Sequence, residues 1–383
     1  MSTSNGRRAE ISGAGFAGLT AAVALAQRGW TVRVHERGKK LREEGAGIVL
    51  FQNSLKVLDA LGVTDELMTG SMTPPFYQTR MQNRIVSDEA FEAFSWRTMT
   101  RPLLHSVLLN AARKAGATVV ASSEVQSATA LGELTLGDGS SIGADLIIGA
   151  DGVGSNVRNS LGIEYQRERS GDGISRFLVS RHKAELQAIE PDTEWDNVID
   201  FWNFEPRVLR VLYTPANDSE LYLALMAPAA DKDGSRVPID LDLWTSIHPQ
   251  LTPVLEEVAG KTGKHYGYQT TRVAEWTRGR VALVGDSAHA MCPALAQGAG
   301  CAMVNAYTLA QAVSDAAQSD IPDALSEWER LERPYTDRCQ ERSQYFAESR
   351  AMSKGNQFVG ENVEAALYDA LDPHRHDAVL RTN

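Results

Sequence analysis

The sequence predicts an α/β fold in which two domains interleave, and three observations predict it. A glycine-rich turn, Gly13-Ala14-Gly15-Phe16-Ala17-Gly18, stands between two strand-like runs near the start of the chain. A glycine and aspartate signature, Gly285-Asp286-Ser287-Ala288-His289 followed by Pro293 and Gln297-Gly298-Ala299-Gly300, stands about 270 residues later. Between them, over residues 162–268, helix-and-strand alternation gives way to a succession of strand-length apolar runs. Together these features describe one large ligand held by both ends of the polypeptide, around a β-rich middle.

The elements follow in order. Residues 9–12 read as a short strand and 16–28 as a helix with Leu19, Ala22, Val23 and Ala26 on one face. Gly29 is placed to end that helix, and 31–35 form the next strand, ending at Glu36. In such a βαβ unit Gly13 permits the tight turn, Gly15 lets the backbone approach a pyrophosphate, and Gly18 lets helix and strand pack closely. The helix N-terminus offers free N–H groups to phosphate charge. Glu36 stands where a carboxylate accepts ribose hydroxyls, which favours an unphosphorylated ribose. The fingerprint alone fits FAD or NAD.

Residues 144–149 (ADLIIG) are a continuous apolar run of the kind found in a buried parallel strand. They lead into Asp151-Gly152 and a helix opened by Ser155 and Arg158, at the strand end where open α/β sheets place ligands. Residues 281–284 (VALV) are a second such strand, leading into Gly285-Asp286, whose carboxylate suits a polyol chain. The small residues Gly298, Ala299 and Gly300 open a further helix, whose N-terminus suits a flat ring that takes on negative charge. In the β-rich middle, 177–179, 197–201, 208–213 and 221–226 read as strands of an antiparallel sheet, with Asn217-Asp218 as a turn and the region 72–99 joining it. Arg176, Arg181, Arg207 and Arg210 there offer forked donors for a carboxylate, and Tyr77, Tyr213 and Tyr222 offer flat area with a hydroxyl. About half of these are expected to be structural.

Composition narrows the function classes. The 383 residues suffice for two domains. A net charge of −11 argues against a general nucleic-acid binder, though local arginines still suit an anionic substrate. Cys292, Cys301 and Cys339 form no zinc spacing and no disulfide framework, so no metal is expected, and reduced packing thiols in a cytoplasmic protein are. The apolar run 16–26 is too short to span a membrane and is better read as the fingerprint helix.

With these motifs in place, the chain resembles the flavin-dependent aromatic hydroxylases of the para-hydroxybenzoate hydroxylase class. The resemblance rests on GAGFAG (13–18), Glu36, Arg42, Arg101, ADGVGSNVR (150–158) and GDSAHAMCPALAQGAG (285–300), and covers roughly residues 8–345. It implies an FAD-binding Rossmann-like domain of glutathione-reductase type over 1–70, 100–165 and 272–320. A substrate domain would span 71–99 and 166–271, with C-terminal helices and tail over 321–383. By the same resemblance Glu36 holds the adenosine ribose, Arg42 and Arg101 lie near the ribose and pyrophosphate, and Arg37 and Val125 join the cofactor set. Asp286 meets the ribityl or pyrophosphate region, and Pro293 with Gly298, Ala299 and Gly300 lines the isoalloxazine. Asp151 supports the FAD site. His289 is read as a packing residue without proton transfer, and Asn305, where many relatives carry an acid, as a neutral departure.

In the middle region the segments 73–83, 194–215, 220–231 and 276–306 resemble the branch of that class that opens 3-hydroxypyridine carboxylates of the 2-methyl-3-hydroxypyridine-5-carboxylate or 5-hydroxynicotinate type. That implies Tyr77 and Tyr222 against the ring, Arg176 and Arg210 on the anion, and Pro293 and Val49 beside the substrate, with Val49 where a tyrosine is expected. The implied reaction uses NADH as a transient co-substrate and O2, with no second nucleotide-binding fingerprint in the chain. Three other readings stand beside it: hydroxylation without ring opening, an FAD-binding redox carrier, and a dehydrogenase with resident NAD.

Overall fold

The computed structural model describes residues 6–41, 45–352 and 362–371. Its first sheet runs in the order Thr277–Arg278, Val281–Leu283, Leu146–Gly149, Arg8–Ser12, Thr31–His35, Thr118–Val120. All neighbours are parallel except the edge strand Thr277–Arg278. The central strands are apolar throughout because both faces are covered. The helix Phe16–Gln27 is buried almost all round, residues 17–25 without a break, rather than along the one face the periodicity suggests. It is wedged between the sheet and the helices Arg101–Lys114 and Gly298–Asp315. Gly29, at φ +83°, takes the left-handed turn that ends it.

The second sheet has seven strands, in the order His265–Val273, Tyr165–Ser180, Glu220–Pro228, Leu209–Pro215, Val198–Asn203, Tyr77–Met81, Arg84–Glu89. Only Tyr77–Met81 runs parallel to its neighbour Val198–Asn203. Asn217 sits in the turn after Leu209–Pro215, and its Oδ1 accepts from the N–H groups of Ser219 and Glu220 at 3.0 and 2.8 Å. A separate three-stranded sheet joins Gly47–Phe51, Trp96–Thr100 and Ser71–Met72.

Register decides what each face of the second sheet does. Residues across it pair as Arg176↔Ala224↔Leu212 and Ile174↔Met226↔Arg210, so these side chains share a face. The alternate residues Phe177, Leu223, Val211 and Tyr213 fall on the opposite face, in a core closed by Trp195 and Trp244. The helices Leu241–Ile247 and Thr252–Ala259 cover that core. The other face looks toward the first sheet, and the cavity described next lies between them.

All three cysteines are buried and outside any disulfide. No helix among the described residues is long and apolar enough to cross a membrane.

Candidate active site

One cavity of about 680 Å³ runs from the fingerprint turn to the second sheet. Its near end is built at the carboxyl ends of the parallel strands, beside Arg8–Ser12, where the strand order reverses; this is the expected ligand position in an open α/β sheet. Gly13 has φ +103°, and a Cβ there would stand 2.3 Å from the Ala150 carbonyl oxygen, so no other residue fits the turn. A Cβ on Gly15 would meet nothing within 4 Å, which leaves open space over the N-terminus of Phe16–Gln27. Gly18 does not line the cavity; a Cβ there would strike the Gly13 carbonyl oxygen at 2.0 Å, so it serves helix–strand packing.

Glu36 is held by two backbone donors, Ala14 N–H to Oε2 at 3.0 Å and Gly38 N–H to Oε1 at 2.9 Å. That fixes its carboxylate at the cavity wall with acceptor capacity to spare. Arg37, Val125, Arg101, Asp286, Pro293, Gly298 and Ala299 line the same cavity. The Arg101 guanidinium lies 4.7 Å from the centre of the Phe16 ring. Gly300 is set back, where a Cβ would press on Asn53 and Gln297. Arg42 lies outside the described residues.

These residues fit a bound dinucleotide. Besides the open space at Gly15, Asp151 leaves its Oδ1 buried without a partner at the cavity wall, while its Oδ2 accepts from Val157 N–H at 3.2 Å. Burial pushes the Asp151 carboxyl up, as an acceptor short of donors should be.

The far end is lined by the second sheet. Val49, Tyr77, Arg176, Arg210 and Tyr222 all reach the cavity. Gly47 makes room for Tyr222: a Cβ there would sit 2.3 Å from the tyrosine Cβ. The two arginines expected on the anion differ in kind. Arg176 is exposed to the cavity and makes no hydrogen bond or ion pair among the described residues. Arg210 is already engaged, forking onto the fully buried Asp200 at 2.7 and 2.9 Å and lying 4.2 Å from the centre of the Trp202 ring. Arg350 reaches the same carboxylate at 3.3 Å, and the Tyr77 hydroxyl donates to it at 3.1 Å. Burial alone would raise Asp200, but the charges of Arg210 and Arg350 outweigh it and hold the carboxyl below its ordinary range. The Tyr77 hydroxyl is pushed well up, by burial first and by the Asp200 charge second.

Arg181 and Arg207 are tied to Asp196 and Asp231, and Tyr213 is fully buried with its hydroxyl donating to the Trp195 carbonyl at 3.3 Å. These three are structural. His289 is buried and pushed down to about 4, so it is neutral, with Asn305 Nδ2 against its Nε2 at 3.1 Å. Asn305 also meets Thr336, which makes it part of a neutral buried network. Sequence reading missed Tyr268, whose hydroxyl burial pushes up, and the apolar wall of Phe91, Trp96, Met226 and Val363. Tyr268 lies on a strand beside Tyr165–Ser180, and only its place next to Arg176's strand marks it.

A fingerprint turn, a carboxylate held at the end of the following strand and a second glycine-aspartate turn around one cavity define a flavin-type dinucleotide-binding oxidoreductase. The chain belongs to the FAD binding domain family, which matches residues 8–337. The structure of the tetrameric form of 2-methyl-3-hydroxypyridine-5-carboxylic acid oxygenase is 53% identical, with a TM-score of 0.88, over 96% of this chain and 97% of that one. A 2-heptyl-3-hydroxy-4(1H)-quinolone synthase of Mycobacteroides abscessus is 37% identical over 87% of this chain and 88% of that protein. The 6-hydroxynicotinate 3-monooxygenase of Pseudomonas fluorescens is 26% identical over 85% and 88%. With these relatives, the protein is an FAD-dependent aromatic monooxygenase.

Proposed function

We propose that this enzyme uses NADH and O2 to oxygenate and open the ring of a 3-hydroxypyridine carboxylate. The observation that carries this reading is Arg176, a cavity-facing cation without a protein partner among the described residues, facing the same space as Tyr77, Tyr222 and Tyr268. Segments 1–70, 100–165 and 272–320 would hold the cofactor, and 71–99 and 166–271 the substrate, with reduced thiols suiting a cytoplasmic enzyme.

When bound, FAD supplies hydride acceptance from NADH and activation of O2. The protein's part is binding and electrostatics. Gly15 and the N-terminus of Phe16–Gln27 would hold the pyrophosphate, Glu36 the ribose, and Asp286 the polyol chain. Gly298 and Ala299 would present the N-terminus of Gly298–Asp315 to the flat ring, where its partial positive charge favours an anionic reduced form. Arg176 would hold the substrate carboxylate, and Tyr222 and Tyr268 would flank its ring. Val49, Phe91, Trp96 and Met226 would exclude water from the reacting carbon.

A second reading is hydroxylation without ring opening, on a ring that carries an alkyl chain. The apolar wall of Val49, Phe91, Trp96, Val198 and Val363 favours it, and the likeness to a 2-heptyl-3-hydroxy-4(1H)-quinolone synthase supports it. Anaerobic reduction of the yellow protein by NADH, with and without a hydroxypyridine carboxylate or a 2-alkyl-4-quinolone, followed by oxygen and product mass, separates the two. Reduction accelerated by 5-hydroxynicotinate or 2-methyl-3-hydroxypyridine-5-carboxylate, with gain of one oxygen and one water, supports ring opening. Gain of oxygen alone favours the second reading. No acceleration by any aromatic acid rejects ring opening of a hydroxypyridine acid, and no acceleration by a 2-alkyl-4-quinolone either rejects both.

A further inference from the structure

Asp200 does not line the cavity, and the proposed chemistry gives it no role, yet it is fully buried and gathers three groups from three elements. Tyr77 comes from Tyr77–Met81, Arg210 from Leu209–Pro215, and Arg350 from the end of Ile321–Ser349. An ionised carboxylate only accepts hydrogen bonds. The single proton of the Tyr77 hydroxyl is therefore committed to Asp200 Oδ2, 3.1 Å away. To any further group that oxygen offers only lone pairs.

We infer that Asp200 is a positioning residue that turns Tyr77 into a hydrogen-bond acceptor for the substrate. This rests on the substrate class proposed above and adds a rule to it: the ring atom that meets Tyr77 must carry a proton, as a ring O–H or a protonated ring N–H. A ligand with only acceptors there meets lone pair against lone pair. Asp200 also cancels one of the two arginine charges, so the cluster of Asp200, Arg210 and Arg350 keeps a single positive charge behind the ring.

The test measures binding to the FAD-loaded enzyme by perturbation of the flavin spectrum, with four probes. 3-Hydroxybenzoate carries only the hydroxyl, 5-methoxynicotinate only a ring nitrogen that donates once protonated, 5-hydroxynicotinate both and 3-methoxybenzoate neither, so each titration is run at neutral pH and again at acid pH, where the ring nitrogen holds its proton. The wild type is expected to prefer a donor-bearing probe over 3-methoxybenzoate, and Tyr77→Phe to remove about fivefold to tenfold of that preference, the worth of one hydrogen bond. Whichever of 3-hydroxybenzoate and 5-methoxynicotinate keeps the preference identifies the donor. Asp200→Leu leaves no acceptor at that position, frees the tyrosine proton and is expected to erase the preference while keeping Tyr77. Should that variant fail to accumulate as yellow protein, Asp200→Leu with Arg350→Met removes the surplus charge and is read the same way. If Tyr77→Phe weakens 3-methoxybenzoate as much as 5-hydroxynicotinate, or the Asp200 variants keep the full preference, the inference is overturned and the substrate class stands. If none of the four perturbs the flavin, the substrate class is wrong and the inference falls with it.

Discussion

Replacing Arg176 and Arg210 by methionine should give opposite results, although both arginines line one cavity. Arg176 has no protein partner among the described residues, so its loss leaves no buried charge stranded. A hydrogen bond to a charged group contributes about 1.5–3 kcal/mol, and the exposure of Arg176 argues for the lower end. Arg176→Met should therefore raise the Kd of 5-hydroxynicotinate by about 10- to 30-fold and leave the unfolding free energy within about 0.5 kcal/mol of wild type. Arg210→Met strips a forked partner from fully buried Asp200. Breaking a buried pair costs about 3–5 kcal/mol, and because Arg350 still reaches Asp200 at 3.3 Å the expected loss is about 3 kcal/mol. The assays are flavin-absorbance titration and denaturant unfolding of both variants. The carboxamide analogue serves as control, since it lacks the carboxylate and should be indifferent to Arg176→Met. A Kd change below threefold in Arg176→Met, together with an Arg210→Met protein of unchanged stability that binds poorly, would show that the anion sits on Arg210 and refute this reasoning.

Three further outcomes follow. Gly13→Ala should lower the stability of the apoprotein, because its Cβ collides with the Ala150 carbonyl, whereas Gly15→Ala should leave apoprotein unfolding unchanged and weaken FAD binding at least tenfold in a fluorescence titration; equal effects would break the assignment. Burial pushes His248 down to about 4 from 6.5, so the unfolded chain binds the extra proton between those values. Stability is then complete above pH 6.5 and falls by about 3 kcal/mol as pH drops to 4, and His248→Phe should flatten that slope in thermal melts taken across the window. Val49→Tyr narrows the apolar wall and should weaken 2-alkyl-substituted hydroxypyridine acids more as the alkyl chain lengthens, while sparing 5-hydroxynicotinate; a uniform loss across the series would mean that Val49 does not face the substituent.

The fingerprint end of the cavity was legible because its geometry is local. A turn that needs φ +103° at Gly13, open space at Gly15 and a carboxylate at the end of the next strand lie within one βαβ unit. The helix Phe16–Gln27 was legible in place but not in burial, because the helix Gly298–Asp315 that covers its outer face comes from the other end of the chain.

The end lined by the second sheet is different in kind. Its four arginines and three tyrosines look alike in sequence, and what separates them is strand parity together with partners from other strands. Tyr213 and Tyr222 lie on adjacent strands, but the pairing Tyr213↔Leu223 places Tyr213 with the core-facing row and leaves Tyr222 in the cavity-facing one. Parity alone still does not separate Arg176 from Arg210, which both face the cavity. That distinction comes from Asp200, one strand away, and from Arg350, delivered by the last long helix. A charged residue's job at such a site is fixed by which opposite charge the fold brings to it. The cation that a neighbour has neutralised becomes scaffold, and the one left without a partner is the one with attraction to offer a ligand.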